Sequence, residues 1–233
     1  EGRTSSMRAS IWIVGSRGFA LLLCLPILAL LLEASLSSTE LLAHLWATVL
    51  PTYLLNSVAL VCGTLLLCLL LGAPAGWLMA RCQLPGRRWL NWALVLPLAM
   101  PGYLVAYVYT DLFDYAGAIQ LTLRQLFGWQ QPADYYFPPI RSLGGAVVVL
   151  SLVLYPYVYL LSRAGFGELA PQLIESARMQ GYGPWRRWWH LELPLVRPAL
   201  AVALSLVAME TLADFGTVSY FAVPTLTTAV NDV

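Results

Sequence analysis

The chain contains no lysine, and Asp, Glu and Arg together make up only 11% of its 233 residues. A soluble domain carries about 25% charged residues, and so little charge cannot cover the surface of a water-soluble domain this large. Without lysine there is no Gly-x-x-x-x-Gly-Lys-Ser/Thr loop, so the chain is not itself a P-loop ATPase. Histidine occurs twice, as His44 and His190 in separate segments. No metal-ligand cluster or nucleophile–base set forms around them, which argues against a membrane-embedded enzyme. The four cysteines (Cys24, Cys62, Cys68 and Cys82) lie in or beside apolar runs without paired spacing. They read as small packing residues, with no disulfide or zinc site expected. The net charge is +1 and no basic run occurs, so nucleic acid is not an expected partner.

What is abundant is apolar surface, at 59% of residues. Five long runs stand out: Phe19 to Leu36, Leu54 to Ala80, Trp92 to Leu112, Leu143 to Leu161 and Ala199 to Tyr220. Each approaches the roughly 20 residues that a helix needs to cross about 30 Å of hydrocarbon. The runs are continuous rather than alternating, which selects helices over a barrel. The expected fold is all-α, a polytopic transmembrane helical bundle in a lipid bilayer. The first run has a rival reading, because Arg8 and Arg17 ahead of an apolar stretch resemble a signal peptide. Its length, and the lack of a clean small-x-small site after it, favour a span. Glu1 is an unusual start, Met7 a plausible native one, and Val233 does not close its last element, so a fragment is expected.

Arginine placement orients the bundle. With the amino terminus inside, Arg3, Arg8, Arg17, Arg81, Arg87, Arg88, Arg163, Arg178, Arg186, Arg187 and Arg197 are internal, and only Arg124 and Arg141 are external. That is a strong positive-inside bias. Arg81 to Arg88 becomes an internal turn broken at Pro85-Gly86. Two external segments are long. Ser37 to Tyr53 suits the interface, and Phe113 to Arg141 carries Trp129, Tyr135, Tyr136 and Phe137 as a headgroup-level cap or a docking surface. Pro97 and Pro101 should kink the third span, either as packing kinks or as a gate hinge.

The internal loop from Gly165 to Arg197 is the most informative stretch. Pro171 suits a first helical turn, and Leu173, Ile174, Ala177 and Met179 supply an apolar face. Gly181 and Gly183 stop that helix. Pro184 starts a second element bearing Trp185, Trp188 and Trp189. The sequence Glu175-Ser176-Ala177, then Gly181, then Leu191-Glu192-Leu193-Pro194 has the spacing of the coupling loop in permease subunits of ATP-binding-cassette importers. Ser176 for alanine and Leu191 for isoleucine are mild departures. Leu84 to Arg88, Leu96 to Tyr103, Leu154 to Tyr159 and Glu210 to Thr217 look like the ferric-iron branch of that superfamily.

The resemblance implies a division into a cytoplasmic segment, residues 1–17, and a permease transmembrane domain, residues 18–233, lacking a sixth span and a second half. It also implies a bacterial inner membrane location, an amino terminus in the cytoplasm, and no cofactor. The implied partners are a cytoplasmic ATPase dimer, a periplasmic substrate-binding protein, and a second permease half or subunit. Glu175, Ser176, Ala177, Gly181, Leu191, Leu193 and Pro194 would serve ATPase coupling. On the last span Glu210 and Asp214 are four apart, hence on one helical face. Carboxylates at the bilayer centre cost about 2.5–3.5 kcal/mol each on insertion scales. They would line a path for ferric iron, with Tyr103 and Tyr107, or else cap broken helix ends or pair with arginines. No metal site is expected. Related permeases carry sulfate, molybdate, thiamine, polyamines or phosphonates. An ion-coupled secondary transporter is the rival class, with inverted repeats as its sign; the coupling-loop spacing argues against it.

Overall fold

A computed structural model describes residues 49–129, 131 and 134–229. The chain divides into two units, Glu1–Pro51 and Thr52–Val233. Of the first unit only residues 49–51 are described. The apolar run Phe19 to Leu36, with Cys24 and His44, lies outside the described residues.

Every regular element among the described residues is helical. Three helical stretches are long and apolar enough to cross a membrane: Leu50–Arg81 (α1), Leu143–Glu168 (α5) and Pro184–Ala213. They contain the second, fourth and most of the fifth expected runs, since continuous apolar sequence leaves the backbone only its own hydrogen bonds to make. The third run departs from expectation. It is not one kinked helix but α2 (Arg87–Val95), a 3-10 turn (Leu96–Ala99) and α3 (Gly102–Phe113). The halves are bent by 98°, as in a broken span or a re-entrant loop. Two prolines cause the break. Pro97 opens the 3-10 turn, and Met100 is extended at φ −102 and ψ 128, the conformation imposed on a residue before proline. Pro101 then starts α3 without an amide to donate.

The fifth run is interrupted as well. Its helix α8 (Leu193–Ala213) ends at Asp214, and a short helix α9 (Gly216–Tyr220) comes next. The long segment between α3 and α5 contains α4 (Ala118–Phe127), a helix that its aromatic composition does not announce. A last short helix, α10 (Leu226–Ala229), lies beyond α9.

α5 is the central post, burying Ala146, Val149, Leu150, Val153, Leu154, Val158, Tyr159 and Phe166. α1 packs on it through glycine. A Cβ at Gly72 would stand 2.7 Å from Val158 Cβ and 2.9 Å from Tyr155 O. A Cβ at Gly76, one turn on, would collide with Ser162 Oγ. Gly72 and Gly76 form a small-xxx-small seam of the kind that lets membrane helices approach backbone to backbone. Two polar groups bond across this contact: Ser162 Oγ donates to Gly72 O at 3.4 Å and Cys68 Sγ to Ser151 O at 3.6 Å. On its other side α5 packs closely on α8, with Gly165 against Val196 and Ala199. Tyr159 OH donates to Asn91 Oδ1 at 2.8 Å, which ties α5 to α2.

α1 is also pinned at its first turns. Ser57 Oγ accepts from Leu226 N at 2.9 Å, and Asn56 Nδ2 donates to Pro224 O at 3.0 Å. The turn after α1 uses Gly86 at φ +71, a conformation glycine adopts without strain.

Gly72→Val should force α1 off α5 and cost about 1–3 kcal/mol, as overpacking does. The thermal unfolding midpoint of the detergent-purified protein measures this. Gly167→Ala, where nothing lies within 4 Å of the added carbon, should leave that midpoint unchanged or slightly higher.

Candidate functional site

Two groups of candidate residues sit at the two ends of α8: the arginine-rich loop before it and the helix break after it.

The loop begins with α6 (Pro171–Met179), which has proline in its first turn. Its end is a Schellman cap: Tyr182 N donates to Ala177 O at 3.0 Å and Gly181 N to Arg178 O at 2.9 Å. Gly181 is at φ +78, the left-handed conformation that this cap requires. The four-residue spacing from Ala177 to Gly181 is thus the geometry of one helix stop. Ile174 and Ala177 form the buried face of α6. Leu173 is exposed and Met179 is 90% exposed. The apolar face is therefore narrower than expected, since Leu173 and Met179 project outward. The Glu175 carboxylate is exposed and has no bonding partner among the described residues. Ser176 Oγ donates back to Leu173 O at 2.9 Å.

Gly183 leads into α7 (Pro184–Arg187), a π turn (Trp188–Glu192) and then α8 without a gap. Pro194 lies in the first turn of α8, with Leu191 and Leu193 half-buried beside it. The tryptophans pack on one another, Trp185 on Trp188 at 5.3 Å and Trp188 against Trp189 at 4.7 Å. Trp188 also meets Trp77 of α1 edge-on at 6.4 Å.

The feature that residue spacing missed is Glu192. Its side chain is 0% exposed, and three donors close on it. Trp77 Nε1 lies 2.7 Å and Arg81 Nε 3.3 Å from Oε2, and Arg187 Nε lies 2.6 Å from Oε1. The arginine side chains are 18% and 8% exposed. A signal was present, because a carboxylate between two leucines needs a cation. Only the fold brings Arg81 to it. A cleft of about 250 Å³ beside this cluster is lined by Arg81, Ile174, Glu175, Arg178 and Arg187.

At the break after α8, Asp214 caps α9: Thr217 N donates to Oδ1 at 2.7 Å and Thr217 Oγ1 to Oδ2 at 2.9 Å. Asp214 is the C-cap of α8 at φ −73 and ψ 107, so the helix that carries Glu210 ends at it. The start of α3 lies against this break. A Cβ on Gly102 would be 3.1 Å from Asp214 Oδ2, and one on Gly216 would be 3.2 Å from Tyr103 Cβ. Tyr107 meets Tyr220 edge-on at 6.2 Å, and Arg141 lies over the Tyr220 ring at 5.3 Å. Tyr103, Tyr107 and Asp214 therefore share one seam between two broken-helix ends. Glu210 is exposed and lies within electrostatic range of Tyr157 on α5. A cleft of about 210 Å³ continues the seam past Tyr107, Asp111, Asp114 and Arg141. Among the described residues no group of three His, Cys, Asp or Glu side chains is arranged to hold a metal ion. In the segment between α3 and α5, Trp129 stacks on Tyr135 at 4.7 Å and Tyr135 OH donates to Gln120 Oε1 at 2.6 Å, which folds the aromatic cluster onto α4.

Residues 72–231 match the family described as binding-protein-dependent transport system inner membrane component. The matched stretch runs from the glycine seam through both site groups. The chain is 29% identical over 171 residues to the molybdenum transport system permease protein ModB of Escherichia coli, covering 73% of this chain and 69% of that protein. It is 26% identical over 209 residues to the Fe(3+)-transport system permease protein FbpB 2 of Haemophilus influenzae, covering 89% of this chain and 37% of that one. The sulfate transport system permease protein CysT of Escherichia coli is 25% identical over 151 residues, 65% of this chain and 51% of that protein. The chain belongs to the binding-protein-dependent transport family of inner membrane components, the permeases of ATP-binding-cassette importers.

Asp214→Ala should remove the α9 cap and cost about 1 kcal/mol, read as a lower thermal midpoint of the purified protein. Asp214→Asn keeps an accepting oxygen and should stay close to wild type.

Proposed function

We propose that this permease forms the translocation path of an importer for ferric iron, and that α6 is its coupling helix, seated in a cytoplasmic ATPase. The coupling reading is carried by α6 itself: a capped helix of nine residues whose Glu175 carboxylate is exposed and unpartnered. Such a helix enters a groove as a compact peg, and Glu175 pairs with a cation there. Ala177 and Ser176 keep the peg slim, and Gly181 turns the chain away without a side chain. Leu191, Leu193 and Pro194 carry the loop back into the span. This places the arginine-rich end in the cytoplasm, in keeping with the positive-inside bias. A binding protein delivers cargo at the opposite, aromatic end, and a second permease half or subunit completes the path. ATP hydrolysis belongs to the separate ATPase.

The iron reading is supported by oxygen chemistry. Ferric iron is a hard cation suited to carboxylate and phenolate oxygens. Glu210 near the end of α8, and Asp214 with Tyr103 and Tyr107 at the seam, offer such oxygens. Conduction asks for sites weak enough to release the ion, so a strong ligand cluster is not required. A second reading, an oxyanion such as molybdate, is favoured by the similarity to molybdenum permeases and by the amino-terminal end of α3 facing the seam, where helix dipoles favour anions.

Copurification tests the coupling reading. Glu175→Arg should reduce the partner ATPase recovered with the full-length chain by roughly tenfold, equivalent to about 1.4 kcal/mol. Undiminished recovery overturns it. Uptake of ferric ion and of molybdate, each with the paired binding protein, tests the cargo. Glu210→Gln and Asp214→Asn should lower ferric uptake. Molybdate uptake without ferric uptake, or normal ferric uptake in both variants, overturns the iron reading.

A further inference from the structure

Among the described residues, Glu192 holds the only side-chain hydrogen bonds that link α1 to the α7–α8 stretch. α6 and α7 are joined covalently to α5 on one side and, through the π turn, to α8 on the other. α1 has no such continuity with the loop, since Trp77 and Arg81 lie 115 and 111 residues away from Glu192 in sequence. The Glu192 carboxylate closes that gap. Its Oε2 accepts from Trp77 and Arg81 of α1, and its Oε1 accepts from Arg187 of α7.

The π turn explains how the carboxylate comes to point there. An α-helix advances about 100° per residue, so one extra residue in a turn rotates the remainder of the helix by that amount. Glu192 is the last residue of the π turn. The inserted residue swings it onto the face that meets α1, while α8 continues with its own face on α5. Wide turns of this kind inside helices recur at functional positions.

We propose that Glu192 is a positioning residue that makes the coupling loop and the end of α1 move as one body. A displacement of α6 by the ATPase then reaches α1 as well as α5 and α8. The inference rests on the coupling role proposed for α6. The mechanics come from burial. An apolar contact at this place would slide, because dispersion has no direction. Three directed bonds on one desolvated carboxylate do not slide. Breaking any one strands a charge or a donor away from water, so the cluster moves whole or not at all. Trp188 against Trp77 adds an apolar stop beside the bonds. Arg81 Nη2 is buried with no hydrogen-bond partner among the described residues, so donors exceed acceptors here and the single carboxylate is indispensable.

The test uses the whole transporter, reconstituted in proteoliposomes with its ATPase and with binding protein loaded with ferric ion or with molybdate. Two quantities are read: cargo imported per ATP hydrolysed, and the stimulation of hydrolysis by loaded binding protein. Glu192→Gln removes the charge and retains the size. The double variant Trp77→Phe with Arg81→Met severs both bonds to α1 and leaves the Arg187 pair intact. Both should assemble with the ATPase and keep basal hydrolysis. Import per ATP and stimulation should fall on the order of tenfold, within the usual range of site-to-site coupling. A purely structural role would lower the amount of assembled complex and leave both ratios at the wild-type value. That result, in either variant that assembles, overturns the proposal. If Glu192→Gln does not accumulate, the double variant decides alone, and its failure to assemble also counts against the proposal, since the Arg187 pair should hold the loop. A wild-type chain that recruits no ATPase overturns the coupling reading itself, and this inference with it.

Discussion

Glu192 is buried completely, and its surroundings show the constraint that shapes this molecule: a carboxylate removed from water is held by donors inside the protein. An isolated carboxylate at that depth would cost several kcal/mol. With two arginines and a tryptophan around it, the charge becomes the joint where α1, α7 and α8 meet. The same rule acts more gently elsewhere. Ser151 and Ser205 return their hydroxyls to carbonyls one turn back. Asp214 spends its oxygens on the amide and hydroxyl of Thr217. The glycine seam of α1 is the apolar counterpart, because helices that cannot rely on water to drive them together gain by close backbone approach.

The breaks in the bundle obey the same constraint. Prolines at 97 and 101 remove two donors, and the chain answers with a 3-10 turn and a fresh helix rather than a strained one. Asp214 ends α8 and starts α9. The two interruptions are brought side by side, Gly102 on Asp214 and Gly216 on Tyr103. Irregular backbone in a membrane is tolerated only inside protein or against a wet cavity. Their meeting is what makes this seam, rather than any uninterrupted stretch of helix, the place to look for a path.

The two site groups are therefore different in kind. The loop is built for rigidity: a capped helix, a stack of tryptophans, and a buried ion cluster. The seam is built from exposed phenols, a capping carboxylate and glycines, which leaves room for movement. In the function proposed here, the loop is the stiff handle at one face and the seam the yielding constriction further in. The chain belongs to the binding-protein-dependent family, whose relatives are named for molybdenum, ferric iron and sulfate transport.

Much of this was readable from residues alone. Apolar runs longer than the bilayer is thick have one backbone solution, so the long helices α1, α5 and α8 were legible. Pro171 and Gly181 bracket α6 by local chemistry, and local chemistry is what sequence states most directly. What stayed hidden depended on distance along the chain. Glu192 sat in plain view as the unspecified position of a known spacing, but its meaning needed Arg81 and Trp77 from another helix. Asp214 matched Glu210 in helical phase, but its bonds to Thr217 depended on where α8 ends. The sharp bend after Ala99 was legible as a kink but not in its size. Sequence determined that the long apolar runs are helical and that α6 stops at Gly181, because propensity and backbone satisfaction act within a few residues. Tertiary structure decided which stops touch and which charges meet, because in a low-dielectric interior a partner is chosen by proximity across helices, and proximity is not written in spacing.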